Sequence, residues 1–130
     1  MPSIFSRIIA REIPAYILAE DKYHIAFLDI NPNAMGHTLC VPKKEVDKLF
    51  DLSEEEYAAL MHFSRRVATA IRQVVPCKRV GLSVIGLEVP HVHVHLIPLH
   101  EMADATFQKK VSPTKDDMQS LTQKISAVFE

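Results

Sequence analysis

Residues 91–97 read His-Val-His-Val-His-Leu-Ile, a strict two-residue alternation of imidazoles with branched apolar side chains. Successive side chains of a β-strand leave opposite faces of its sheet. The segment therefore predicts a strand with His91, His93 and His95 on one face and Val92, Val94 and Leu96 buried on the other. Neighbouring imidazoles would stand about 6.5–7 Å apart at roughly 3.3 Å of rise per residue. The central ring is then flanked by two proton donors at the scale of a phosphate group, a pattern that suggests phosphorus chemistry.

The rest of the chain supplies the frame for such a strand. Tyr16–Asp21 and His24–Ile30 read as short strands separated by a polar pair, and Asn31-Pro32-Asn33 with Gly36 marks a loop. His37–Pro42 resumes an extended pattern that Pro42 should end or place at an edge. Ser53 followed by Glu56 is a capping-box signal, and Tyr57, Leu60, Met61, Val67, Ala68, Ile71, Val74 and Val75 form the apolar stripe of one long helix that Pro76 closes. Arg79–Ile85 and Val89–Ile97 predict two more strands, close enough around Gly86 for a hairpin. After Pro98 comes an irregular stretch to Val111. A last helix is expected with Ser112 as cap, Pro113 at its first position and Met118, Leu121, Ile125 and Val128 on its buried face. Five short strands around one long helix argue for an α+β domain with a mainly antiparallel sheet. With three glycines in the chain, there is no room for a Gly-rich phosphate loop.

Composition narrows the partners. The 130 residues suggest a single domain spanning 1–130, with 99–130 as a C-terminal extension and helix. A net charge of −1 lacks the basic excess that a nucleic-acid polymer or an anionic membrane favours. Met1–Arg7 contains no apolar stretch with a small-residue cleavage site, and no window approaches a membrane span, so a cytoplasmic protein is expected. Cys40 and Cys77 sit in apolar runs outside any C-x-x-C and read as two reduced, buried thiols.

Three readings of the histidine row compete: a polar surface stripe, a metal site, and nucleophilic catalysis at phosphorus. Imidazoles two apart on a strand can face one metal ion, with His37, Glu88 and His100 as the nearest further ligands. In the third reading a neutral imidazole attacks phosphorus while its other nitrogen is held by a hydrogen bond, and flanking donors stabilise the oxygens. That chemistry requires no metal.

The segment resembles the H-φ-H-φ-H-φ-φ signature of the histidine-triad superfamily of nucleotide hydrolases and transferases. The resemblance runs from about residue 4 to residue 98. Ile4-Phe5 with Ile8-Ile9 and Glu12–Ala15, then Ala26–Pro32, then Gly36–Leu39 with Val41–Lys43 are similar to motifs of its nucleoside phosphoramidate hydrolase branch. The resemblance implies that His93 is the nucleophile, that His95 donates to phosphate oxygens, and that His91, backed by His37, holds and tunes His93. It implies that Asp29 binds ribose hydroxyls and that Ile4, Phe5, Ile8, Phe27, Leu28, Ile30 and Leu39 surround the base, with Glu88 near the phosphate. The implied substrate is a purine nucleotide or nucleoside phosphoramidate, used by a homodimer without metal or cofactor. The interface would involve helix 53–75 and the sheet edge near 79–86. A dinucleoside polyphosphate hydrolase and a nucleotide-binding sensor with weak activity are the alternatives. The segment Ser83–Pro90 is shorter than is usual in the family, and Leu87-Glu88 stands where a Gln and a hydroxyl residue are common. Ser3 and Ser6 stand where some relatives carry a zinc-binding C-x-x-C.

Overall fold

The computed structural model describes residues 2–130. Helix α1 (Ile4–Ile9) leads into strands β1 (Ile17–Glu20), β2 (His24–Leu28) and β3 (Thr38–Pro42). Helix α2 (Glu54–Val74) follows, then β4 (Arg79–Ser83), β5 (Val94–Leu99) and helix α3 (Lys115–Val128). All five strands form one antiparallel sheet in the order β1-β2-β3-β5-β4, so the expected α+β architecture is the one observed.

β2 and β3 are buried at every position. Both sheet faces are covered there, which is why these strands read as continuous apolar runs rather than alternations. Ala26, Leu28, Cys40, Val94 and Leu96 face the main core under α2 and α3. Ile25, Phe27, Leu39 and Val41 face the opposite way, against Phe5 and Ile8 of α1. At Leu18 the β1–β2 register shifts, and both Leu18 and Ala19 turn into the main core. Gly36, with φ +92°, makes the turn into β3.

α2 begins as expected: Ser53 Oγ accepts from Glu56 N–H and the Glu56 carboxylate accepts from Ser53 N–H. Its buried side chains also include Phe63 and Ala70, which widen the anticipated stripe, whereas Tyr57 lies exposed. The last helix starts two residues later than expected, because Thr114 pairs with Asp117 in a complete capping box that Ser112 lacks. α1 was not anticipated, being too short for apolar periodicity to register.

The expected pairing of residues 79–97 as an antiparallel hairpin is observed, with a second strand that starts later than expected. β4 and β5 are neighbours, but β5 begins at Val94 rather than Val89, and an irregular segment joins the two strands. Cys40 is buried, whereas Cys77 is only half-buried; both are free thiols. No helix among the described residues is long and apolar enough to cross a membrane.

Candidate active site

The alternation at 91–96 survives although only its second half is a regular strand. Val92 N–H donates to the Val46 carbonyl at 2.8 Å, which holds residues 91–93 extended beside the chain leaving β3. Val92, Val94 and Leu96 enter the main core, and the three imidazoles emerge on the α1 side. The His93 and His95 ring centroids are 4.9 Å apart, closer than the backbone repeat, because the rings lean together edge to face. Phe5 stands 4.9 Å from His93 and Phe107 stands 4.8 Å from His95, so each of these two rings has an aromatic neighbour.

Hydrogen bonds fix the protons. His93 Nδ1 lies 2.7 Å from the His91 carbonyl, which can only accept, so Nδ1 carries the hydrogen and the Nε2 lone pair is free. His91 Nε2 likewise donates to the Pro42 carbonyl at 2.8 Å. On the other flank, Asn33 N–H donates to His37 Nδ1 at 2.9 Å, which puts the His37 hydrogen on Nε2. That nitrogen lies 3.0 Å from His95 Nδ1 and donates to it, leaving His95 Nε2–H for the cleft. His37 therefore backs His95, and the expectation that it backs His91 is corrected. The geometric reason is the antiparallel register of β3 and β5, which sets Leu39 opposite His95 and His37 just beyond the end of β3.

Burial favours the neutral form of His37, His95 and His91. It depresses His37 to about 3, aided by the neighbouring His95, and depresses His95 to about 4, aided by His93. His91 is also lowered, again chiefly by burial. Asp29, just beyond β2, is pushed up by burial while its Oδ1 accepts from Asn31 N–H at 2.8 Å.

The histidines open into a cleft of about 720 Å³. Ile4, Phe5 and Ile8 of α1 line it, as do Phe27 and Leu28 of β2, with Leu39 of β3 beneath them. Asp29 and Ile30 border the far end, and Glu88 is exposed at the rim beside Leu87. His93 and His95 reach the cleft, while His37 and His91 lie fully buried behind them. Every residue expected at the site is thus in the cleft or one hydrogen bond from a ring that is.

Thr106, Phe107 and Lys110 form a wall that the sequence did not announce. They come from the irregular stretch after β5, which contains a 3-10 turn at Met102–Ala105. Asn33 Nδ2 donates to the Asp104 carbonyl at 2.9 Å, and Lys110 Nζ donates to Asn33 Oδ1 at 2.8 Å. Phe107 has φ +63°, a left-handed conformation unusual for an aromatic residue, and it holds the ring against His95.

Asp29, His37 and His95 each offer one ligand atom within 4.8 Å of the others. His37 Nε2 already donates to His95 Nδ1, so an ion bound through those two atoms would have to replace that hydrogen bond. His100 stands apart from this group, at the start of the turn that binds Asp104.

A profile of the HIT domain matches residues 10–102. The chain is 42% identical over 96 residues to adenosine 5'-monophosphoramidase HNT1 of Saccharomyces cerevisiae, a match spanning 73% of this chain and 61% of that protein. It is 38% identical over 105 residues to an uncharacterized HIT-like protein of Methanocaldococcus jannaschii, spanning 75% and 79% of the two chains. Among solved structures, a Hit-like protein of Bartonella henselae superposes with a TM-score of 0.83 at 28% identity, covering 96% of this chain and 94% of that one.

Proposed function

The chain belongs to the HIT domain family, and on that premise we propose that it is a nucleotide hydrolase acting on nucleoside phosphoramidates through a covalent nucleotidyl-His93 intermediate. The observation that carries the proposal is the fixed tautomer of His93: Nδ1–H is committed to the His91 carbonyl, so Nε2 presents its lone pair beside the His95 Nε2–H. Nε2 forms a bond to the α-phosphorus as the P–N bond breaks, and the leaving nitrogen departs as an amine after taking a proton from water. The His91 carbonyl stabilises the positive charge that develops on the His93 ring, and His95 Nε2–H donates to a phosphoryl oxygen. Water then attacks the phosphorus, the P–Nε2 bond breaks, and the nucleoside monophosphate and a proton are released. The apolar wall of α1 and β2 takes the base, and the Asp29 carboxylate accepts from the ribose hydroxyls.

A second copy of the chain would dock on the free edge of β4, where Leu82 is exposed and Ile85 is exposed just beyond the strand, together with part of α2. Sedimentation tests this, and a concentration-independent monomer at micromolar levels contradicts it. The substrate reading is tested by steady-state turnover of adenosine phosphoramidate beside diadenosine polyphosphates, each with and without chelator. Faster phosphoramidate turnover that is insensitive to chelator supports it. A polyphosphate preference, or inhibition by chelator reversed with zinc, contradicts it.

A further inference from the structure

Behind His91 lies a polar cluster that the proposed reaction does not use directly. Ser3 Oγ is 2.6 Å from His91 Nδ1. Because His91 Nε2 holds the hydrogen bonded to Pro42, Nδ1 must accept, and the Ser3 hydroxyl donates to it. The same oxygen accepts from Ser6 N–H at 3.0 Å as the N-cap of α1. Glu45 completes the cluster: its Oε1 accepts from Ser3 N–H at 2.7 Å and from Ser6 Oγ–H at 2.6 Å, and lies 4.0 Å from His91 Nδ1. Ser3 is buried, and Glu45 closes the cluster on the solvent side.

We propose that Glu45 and Ser3 are positioning residues that hold the His91 main chain so that its carbonyl stays aimed at His93 Nδ1. The proposal rests on His93 being the nucleophile. His91 is clamped at both ring nitrogens, by a hydroxyl on one side and the Pro42 carbonyl on the other, while its own carbonyl carries the bond that sets the His93 tautomer. Without the hydroxyl, one ring nitrogen of a fully buried imidazole loses its partner and the ring loses one of its two anchors. The cluster also ties α1, whose Phe5 packs on both His91 and His93, to the same point. Base-binding wall and nucleophile are thereby held in one register.

The test uses the full chain labelled with 15N-histidine, reading the ring tautomers and the solvent exchange of the His93 Nδ1 proton by NMR, together with kcat and KM for adenosine phosphoramidate. Ser3→Ala is expected to speed that exchange and to lower kcat about tenfold, with a smaller rise in KM from the loss of the α1 cap. Ser3→Thr keeps the hydroxyl and is expected to restore both readouts. Glu45→Ala, a change on the solvent side, should move them in the same direction by a smaller factor. Wild-type exchange and kcat in both Ser3→Ala and Glu45→Ala overturn the proposal, as does equal impairment by Ser3→Ala and Ser3→Thr. If the wild-type chain fails to turn over the phosphoramidate, the reading of the reaction falls. The exchange measurement still decides the positioning role.

Discussion

The two histidines that flank His93 are held by different kinds of partner. His91 is clamped by a serine hydroxyl and a proline carbonyl, groups that do not titrate near neutrality. His95 is held by another imidazole, His37, which is oriented in turn by a single backbone N–H. In the first arrangement neither partner titrates, so the neutral His91 ring has one tautomer open to it. The second can be rearranged by protonating one ring, and burial is what prevents this. His93, the proposed nucleophile, is wired to the side whose partners do not titrate, since its Nδ1–H bonds the His91 carbonyl.

The largest expected effect breaks the row at its centre. His93→Ala should lower phosphoramidate turnover by about three orders of magnitude or more while nucleotide binding persists. Calorimetric titration of a nucleoside monophosphate, run beside the turnover assay, separates the two. Turnover above a few per cent of wild type would mean that another group attacks phosphorus.

His37→Ala tests the ring-to-ring flank. It leaves His95 Nδ1 and Asn33 N–H unpartnered in a buried setting, at about 1–3 kcal/mol for each unsatisfied group. Urea denaturation should show that loss, and kcat should fall because His95 is free to change tautomer. Wild-type stability would show that water replaces the ring at no penalty.

Acid sharpens the contrast. His37, His95 and His91 have lowered values in the fold, so the unfolded chain takes up protons that the native chain refuses. Their contribution to stability is intact above the unfolded histidine value near 6.5 and is lost as pH falls from there toward the folded values of about 4 for His95 and about 3 for His37. Asp29, raised by burial, works in the opposite sense and offsets part of the loss. Denaturation midpoints should therefore fall between pH 6.5 and 4.5, less steeply in His37→Ala. A flat profile in the wild-type chain contradicts burial of these rings as neutral species.

The smallest effect lies at the rim. Glu88 is exposed, and a carboxylate facing a polyphosphate is repelled by about 1 kcal/mol at 4 Å in bulk water. Glu88→Ser should raise kcat/KM for diadenosine polyphosphates several-fold and leave phosphoramidates nearly unaffected. A fall in kcat on both substrates would make Glu88 an acid that assists the leaving group, and no change on either would leave it a solvent-facing turn residue.

The legible and illegible parts of the site divide along physical lines. The histidine row, the apolar runs of β2 and β3 and the Ser53 cap are written in local patterns: an alternation of period two, short unbroken apolar stretches, and the fixed spacing of a capping box. The cap at Thr114 was equally legible, because Asp117 lies three residues on, whereas Lys115 follows Ser112 at that spacing. Phe107 and Lys110 follow no period. Contacts far along the chain place them: Asn33 to Asp104, Lys110 to Asn33, and Val111 N–H to the Pro32 carbonyl. The partner of His37 was unreadable for a similar reason, since two histidines 58 residues apart meet only through the β3–β5 register.

The central claim is that phosphorus becomes bonded to His93 Nε2, and the most direct measurement is intact mass during turnover. Enzyme mixed with excess adenosine phosphoramidate and quenched within milliseconds in alkaline denaturant, where a phosphorus–histidine bond survives, should carry one added nucleoside monophosphate group. Peptide mapping should place it on His93, and the adduct should be absent from His93→Ala. Rapid turnover with no adduct at any quench time, or an adduct on His91 or His95, would contradict the account.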